Sequence, residues 1–175
     1  MRPRHNRPGQ NSVKPQVRDP LLDEIPVAGK FISSFQPLEK ADKLGPVLFQ
    51  LPPNLKCDVP LLTEFLTGLP RHLRAAFEFR NVSWFEGEVF TALRKRNAAL
   101  CHAESGTIHS PAVQTADFFY LCLRKDSHSP KSLREQKQKI TDLARRGEIY
   151  GYFKHEEPPQ CVSRAVAMLA SINAS

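Results

Sequence analysis

Short apolar segments alternate with amphipathic helical patterns along most of the chain, and this alternation limits the possible folds more than any other feature of the sequence. The pattern predicts five buried strands, at about 47–51, 73–80, 98–102, 116–124 and 148–153. Helical patterns or a loop-rich connection separate these strands, with a recurring step of about 20–30 residues. Such an alternation is typical of βαβ units, so the sequence predicts an α/β fold with a parallel sheet.

The helical segments between these strands have recognisable beginnings and ends. Asp58 is placed to cap a helix whose apolar residues recur at i, i+3, i+4 and i+7. Asn97 and Gly147 are placed to end the next two helices, and a last amphipathic helix is predicted over 162–169. Ahead of the first strand, Pro37 predicts a break or kink in a segment that otherwise has helical spacing.

Two parallel architectures fit this pattern, an open doubly wound sheet and part of a (β/α)8 barrel. The segment after the first strand has no G-x-G-x-x-G motif, and the chain has no G-x-x-x-x-G-K-[ST] motif. These glycine-rich motifs build the phosphate-binding turns of nucleotide-binding sheets. The usual nucleotide-binding forms of the open sheet are therefore unsupported, and no cofactor is predicted.

Most of the positive charge lies near the N-terminus. The formal net charge is +7, and residues 1–20, with five basic residues and one acidic residue, carry more than half of it. Residues 1–22 are predicted to form a basic, proline-rich, disordered leader ahead of a folded domain over 23–175. Because the basic residues do not mark a folded face, nucleic-acid binding through the leader is only a third hypothesis.

Apolar runs and cysteine spacing limit location and metal content. No apolar run approaches the ~20 residues that span a bilayer, and the N-terminus lacks the apolar core of a secretory signal, so a cytoplasmic protein without membrane contact is expected. The four cysteines, Cys57, Cys101, Cys122 and Cys161, are far apart in sequence. Without the short spacing of a zinc knuckle they are predicted to be buried, reduced thiols, and no metal site is predicted.

Polar residues gather where the predicted strands end. In parallel α/β folds the carboxyl ends of several strands build one site. Glu78 and Arg80 share one face of their strand, whereas Phe77 and Phe79 should point toward the helices. His102 and Glu104 are likewise two residues apart. The candidates for ligand binding are Gln50, Arg80, Arg124 and Lys154, and the candidates for catalysis are Glu78, Glu104 and His155.

This mixture of Glu, Arg, Lys and His suits a small anionic ligand, because Arg or Lys holds a phosphate or carboxylate while Glu or His moves a proton. An alternative is that Glu78 and Arg80 form a structural ion-pair network, and that His155 is a solvated loop residue. Trp84 follows the second strand and has two interpretations, a packed cap over the rim of the barrel or a stacking platform for a ligand; packing is favoured.

Four stretches of the sequence resemble the YecE-like family, also called domain of unknown function 72. They are LGPVLFQLPPNLK (44–56), AAFEFRNVSWFEGEVFTALRKRNAALC (75–101), TADFFYLCLR (115–124) and IYGYFKHEE (149–157). The resemblance covers about three-quarters of the chain and implies a TIM-type barrel, with the strands here corresponding to the fourth to eighth of the family fold. It implies no particular activity, since the family has no settled one.

The chain also departs from the family pattern. Residues 1–43 contain nothing like the family's first three strands, Cys122 stands where the family has an arginine, and Asn81-Val82 stands where it tends to have His-Pro. The expectation is a truncated barrel whose inner face lies open and whose edge strands promote self-association. The leading hypothesis is an uncharacterised YecE-like protein with an anion-binding, enzyme-like site. The alternative is a non-catalytic remnant or interaction module, and whether the protein is an enzyme stays open.

Overall fold

A computed structural model describes residues 31–105, 108–123, 130–153, 166 and 169–170. Its strands are β1 (Val47–Leu51), β2 (Ala75–Phe79), β3 (Ala99–Ser105), β4 (Ile108–His109), β5 (Phe118–Leu123) and β6 (Glu148–Phe153). Its helices are α1 (Gln36–Lys40), α2 (Val59–Gly68), α3 (Gly87–Arg96) and α4 (Pro130–Ala144), with a 3-10 turn over Val82–Trp84. None of the described helices has the length and apolar content needed to cross a membrane. The predicted leader over 1–22 lies outside the described residues, as does most of the predicted helix over 162–169.

The five predicted strands form one sheet in the order β1-β2-β3-β5-β6, and each neighbouring pair is parallel. This order confirms the predicted α/β architecture, a parallel sheet with helices in the connections. The short strand β4 was missed by the sequence analysis. It turns back from β3 and pairs with it in antiparallel fashion, Glu104 opposite His109, and two residues are too few to show a period.

The outer face of the sheet packs against the helices. Phe77 and Phe79 are buried in one cluster with side chains of α2 and α3, which confirms their predicted orientation. The rings of Phe49 and Phe77 stack with centroids 5.3 Å apart, and the edge of the Phe65 ring from α2 meets both. Aromatic contacts of this kind stabilise a core beyond the burial of apolar area.

The predicted helix boundaries have local causes. Oδ1 of Asp58 accepts the N–H of Leu61 at 2.9 Å and caps α2, and Asn97 ends α3 in a left-handed conformation with φ of 54°. Gly147 follows α4 where the backbone approaches Asp117 so closely that a Cβ would lie 2.5 Å from its carbonyl oxygen. The predicted break at Pro37 is observed: the helical turn over 31–33 ends before it, and Pro37 lies in the first turn of α1, where a missing N–H costs nothing.

The inner face of the sheet is a second apolar core. Leu48, Ala76, Tyr120 and Tyr150 are each at most 2% exposed and belong to one cluster. The ring of Tyr152 stacks on Tyr120 with centroids 5.1 Å apart. The expectation that this face lies open was wrong, because its aliphatic and aromatic side chains are buried together in this cluster.

Arg74 joins the two sides of this concave face. Its Nη1 atom donates to Oε2 of Glu148 at 2.6 Å and to the hydroxyl of Tyr150 at 2.8 Å, although it immediately precedes β2 and both partners belong to β6. Its guanidinium lies 4.3 Å from the ring centroid of Phe118. The Tyr150 hydroxyl in turn donates to Oε1 of Glu148, and burial raises the pKa of Tyr150 well above its usual value. Arg74 therefore links the start of β2 to β6 through charged hydrogen bonds that lie among aromatic rings.

Among the described residues, β1 and β6 each pair with one neighbouring strand and do not pair with each other. Self-association through these two edges therefore stays a prediction.

We predict that Arg74→Met destabilises the chain by about 1–3 kcal/mol, because it removes two charge-assisted hydrogen bonds and leaves Glu148 without its cation. Methionine keeps the apolar contact with the aromatic rings. The measurement is the free energy of unfolding in urea. The control is Arg145→Met, which removes a 3.5 Å ion pair to Asp142 on the exposed side of α4 and should cost less than about 0.5 kcal/mol. An equal loss of unfolding free energy in the two variants would contradict a stabilising link between Arg74 and β6.

Candidate functional site

Gln50 and Glu78 lie side by side at the carboxyl ends of β1 and β2. They are partners in the strand register, and both side chains are buried, with residue exposures of 9% and 1%. The Nε2 atom of Gln50 is buried and has no hydrogen-bond partner among the described residues. A buried amide donor without a partner costs about 1–3 kcal/mol. A buried donor in this state is a candidate for a hydrogen bond to a bound ligand.

Arg80 brings a positive charge to the same end of the sheet. It follows β2, its side chain is 39% exposed, and its Nε atom lies 3.4 Å from Oε1 of Glu78. Glu78 is thus buried beside a cation that reaches toward solvent. The structure therefore brings together three of the predicted site residues, Gln50, Glu78 and Arg80.

Two thiols that sequence analysis did not assign to the site lie next to Glu78 on the inner face of the sheet. Cys101 of β3 and Cys122 of β5 are at most 1% exposed, and their sulfur atoms and a carboxylate oxygen of Glu78 all lie within 4.8 Å of one another. The prediction of buried, reduced cysteines is confirmed for these two. It is only partly right for Cys57, which is half-buried, and Cys161 lies outside the described residues.

Strand alternation could have identified this grouping. Cys101 is paired with Tyr120, and Cys122 with Ala103, so the two cysteines occupy the same face of neighbouring parallel strands at a diagonal. Spacing along the chain hides this relation, because the two residues belong to different strands.

The other predicted site residues cannot be compared with this cluster. Arg124, Lys154 and His155 lie outside the described residues. Glu104 is described through its backbone, which pairs with Leu123 of β5, while its side chain lies outside the described part of the chain.

His102 does not join the strand-end cluster, although the sequence analysis grouped it with the strand-end residues. It lies on the outer face of β3, where its ring meets the edge of Phe119 with centroids 6.2 Å apart. It lines a cleft of about 330 Å³ with Lys139, Asp142 and Arg146. Burial, followed by the positive charge of Lys139, lowers the pKa of His102 from 6.5. His102 is therefore a neutral histidine of the sheet–helix interface.

Trp84 packs as a cap, which was the favoured interpretation. It is fully buried, its ring stacks on Phe79 at 4.9 Å, and its Nε1–H donates to the carbonyl of Leu55 at 2.9 Å. The neighbouring Asn81 caps the 3-10 turn and donates to the carbonyl of Pro53. These bonds hold the loop after β1 against the loop after β2, next to the site.

Another cleft lies away from the strand ends. It has a volume of about 940 Å³ between α2 and α3, and Thr63, Thr67 and Thr91 line it together with charged residues of α3. None of the strand-end candidates contributes to it. Volume alone therefore does not mark the site, and the buried polar groups at the strand ends do.

A parallel sheet with helices on its outer face and polar residues at its carboxyl ends defines a protein of the β/α-barrel class. A family model described as "Protein of unknown function DUF72" matches residues 10–175. The chain belongs to this family, which is the YecE-like family that the sequence resembles.

Solved structures of the family share the fold. A DUF72 family protein of Thermotoga maritima MSB8 superposes with a TM-score of 0.75 at 21% identity, over 89% of this chain and 66% of its own. A DUF72 family protein of Enterococcus faecalis V583 gives a TM-score of 0.69 at 17% identity, over 83% of this chain and 67% of its own. This chain thus spans about two-thirds of their length. Comparison with curated proteins finds no match.

We predict that His102→Gln weakens the pH dependence of stability. Because burial lowers the pKa in the folded chain, the unfolded chain binds this proton at the higher pH. The stability gained from neutral His102 is therefore present above about pH 6.5 and is lost as the pH falls toward the folded pKa. The free energy of unfolding in urea, measured at about pH 7.5 and about pH 5.5, should fall more for the wild-type chain than for His102→Gln. The control is His109→Gln, at an exposed histidine, and a wild-type slope in both variants would contradict the assignment.

Proposed function

We propose that the carboxyl ends of β1 and β2 bind a small anionic ligand through Gln50, Glu78 and Arg80. The observation that carries this proposal is the buried Nε2 atom of Gln50, a donor that finds no partner in the described part of the chain and whose residue is the register partner of Glu78. Arg80 supplies further N–H donors at the solvent-facing side. Amide and guanidinium donors together suit the oxygens of a phosphate or carboxylate.

Glu78 restricts the ligand further. A buried carboxylate repels a second anion at contact distance, so the anionic group belongs beside Arg80 and Gln50. The part of the ligand that meets Glu78 must instead donate a hydrogen bond, as a hydroxyl does. This division favours a hydroxylated phosphate or carboxylate, with Glu78 placed to accept its proton.

The other candidates extend the same proposal on sequence grounds. Arg124 follows β5 and Lys154 follows β6, where they would add positive charge, while Glu104 and His155 are the further candidates for moving a proton. A reducing, cytoplasmic location is part of the proposal, because the two buried cysteines of the inner face are thiols.

We predict that the full chain binds inorganic phosphate and glycerol 3-phosphate, but not glycerol, in isothermal titration calorimetry. Arg80→Met should weaken binding by about 10- to 100-fold, since hydrogen bonds to charged groups are worth about 1.5–3 kcal/mol. Gln50→Leu should weaken it by about 3- to 10-fold, because one neutral bond contributes about 1 kcal/mol. The control is Arg145→Met, which removes an arginine where α4 ends, before the amino end of β6.

Three results would contradict the proposal or favour another hypothesis. Equal phosphate affinity in Arg80→Met and Arg145→Met would contradict the site. An absence of binding by the folded wild-type chain would favour a non-catalytic remnant or interaction module. Salt-dependent DNA binding that disappears when Arg2, Arg4 and Arg7 are replaced by serine would favour the basic leader.

A further inference from the structure

Three metal-ligating side chains meet on the inner face of the sheet. Glu78 comes from β2, Cys101 from β3 and Cys122 from β5, which are consecutive strands in the sheet order. All three are buried, and their ligand atoms lie within 4.8 Å of one another. Each of the three metal-ligating side chains is therefore positioned by a strand of the parallel sheet and not by a loop.

We propose that these three side chains form a Zn²⁺ site. Two thiolates select a soft or borderline ion, and zinc accepts carboxylate oxygen as a further ligand. Tetrahedral zinc with Zn–S bonds of about 2.3 Å places its two sulfurs about 3.8 Å apart. The sulfurs would have to approach each other by at most about 1 Å from the observed spacing, which side-chain rotation can supply.

The charges around the cluster balance with zinc present. Two thiolates and one carboxylate carry three negative charges against two on the ion, and the remaining negative charge lies beside Arg80, whose Nε is 3.4 Å from Oε1 of Glu78. A cation that contacts a ligating carboxylate orients it and offsets the excess charge. Arg80 is thus a positioning residue for this site.

Binding exchanges existing contacts for coordination bonds. Glu78, Cys101 and Cys122 each have another hydrogen bond or electrostatic contact within the chain. On binding, each thiol loses its proton to solvent and its sulfur gains a bond to the ion, while Glu78 binds as the carboxylate. Two protons are therefore released for each Zn²⁺ bound, and no oxidant or reductant is required.

Three protein ligands leave one position of a tetrahedral ion for water or a substrate oxygen, which is the pattern of catalytic zinc sites. Gln50 is the register partner of Glu78, so its side chain belongs to the strand next to this ligand. The inference goes beyond anion binding, because the three ligands are complete without any anion.

The test is a titration of the full chain, stripped of metal and kept reduced, with Zn²⁺ and with Co²⁺ as a spectroscopic probe. We expect one ion per chain, two protons released per Zn²⁺, and thiolate-to-cobalt charge-transfer absorption together with the visible bands of tetrahedral Co²⁺. Cys101→Ser and Cys122→Ser should each weaken binding by more than about 100-fold, since even the loss of an outer contact costs about 10- to 100-fold. Cys57→Ser is the matched control, because Cys57 is a half-buried free thiol outside the cluster, and it should bind as the wild type does.

Folding and anion binding are measured separately. Circular dichroism checks that each variant is folded, and Cys122→Ala replaces Cys122→Ser if the serine variant unfolds. Gln50→Leu should lose anion affinity and keep the metal, so the two proposals can fail independently. Wild-type affinity equal to that of folded Cys122→Ser or Cys122→Ala would overturn the metal site. Formation of a Cys101–Cys122 disulfide under the reducing conditions, in place of metal binding, would overturn it as well.

Discussion

The guanidinium of Arg74 holds together strands that are not neighbours in the sheet. Arg74 immediately precedes β2, and its guanidinium donates hydrogen bonds to Glu148 and Tyr150 of β6. Strands β3 and β5 lie between β2 and β6 in the sheet. One side chain can reach across two intervening strands only if the sheet is strongly curved. This curvature gives the inner face its aromatic core, because the rings of Phe118 and Tyr150 then converge on the same charge. The polar cluster at the other end depends on the same curvature.

The inner face therefore changes character along the strands. At the amino ends it holds the Arg74 network within aromatic rings, and at the carboxyl ends it holds Gln50, Glu78 and two thiols. Burial strengthens electrostatic interactions at both ends, since little water screens them. At the amino end the charges of Arg74 and Glu148 are partners of each other, which is what a structural network requires. At the carboxyl end a buried donor has no partner within the described ranges and a cation faces solvent, which is why we propose a binding site there.

Much of this arrangement could be predicted from the sequence. Strand order, the orientation of Phe77 and Phe79, and the helix ends at Asp58 and Asn97 follow from local patterns, which report burial and backbone conformation directly. The approach of Cys101 to Cys122, the outward face of His102 and the reach of Arg74 to β6 depend on register and curvature. These are properties of several strands together, and no single segment contains them. Gln50 and Glu78 could be predicted as candidates from their own strands, whereas the position of the two thiols beside them requires the register of β3 and β5 as well as the alternation within each strand.

We propose that Arg74 joins β2 and β6 into one cooperative unit across the concave face, and most of the structure depends on this link. Native-state hydrogen exchange of the backbone amides in these two strands tests it most directly. We expect the slowest amides of both strands to exchange through one shared opening with the same free energy. Arg74→Met should lower this opening free energy equally in β2 and in β6. Exchange of β6 through a much easier local opening, while β2 stays protected and Arg74→Met changes neither, would contradict it.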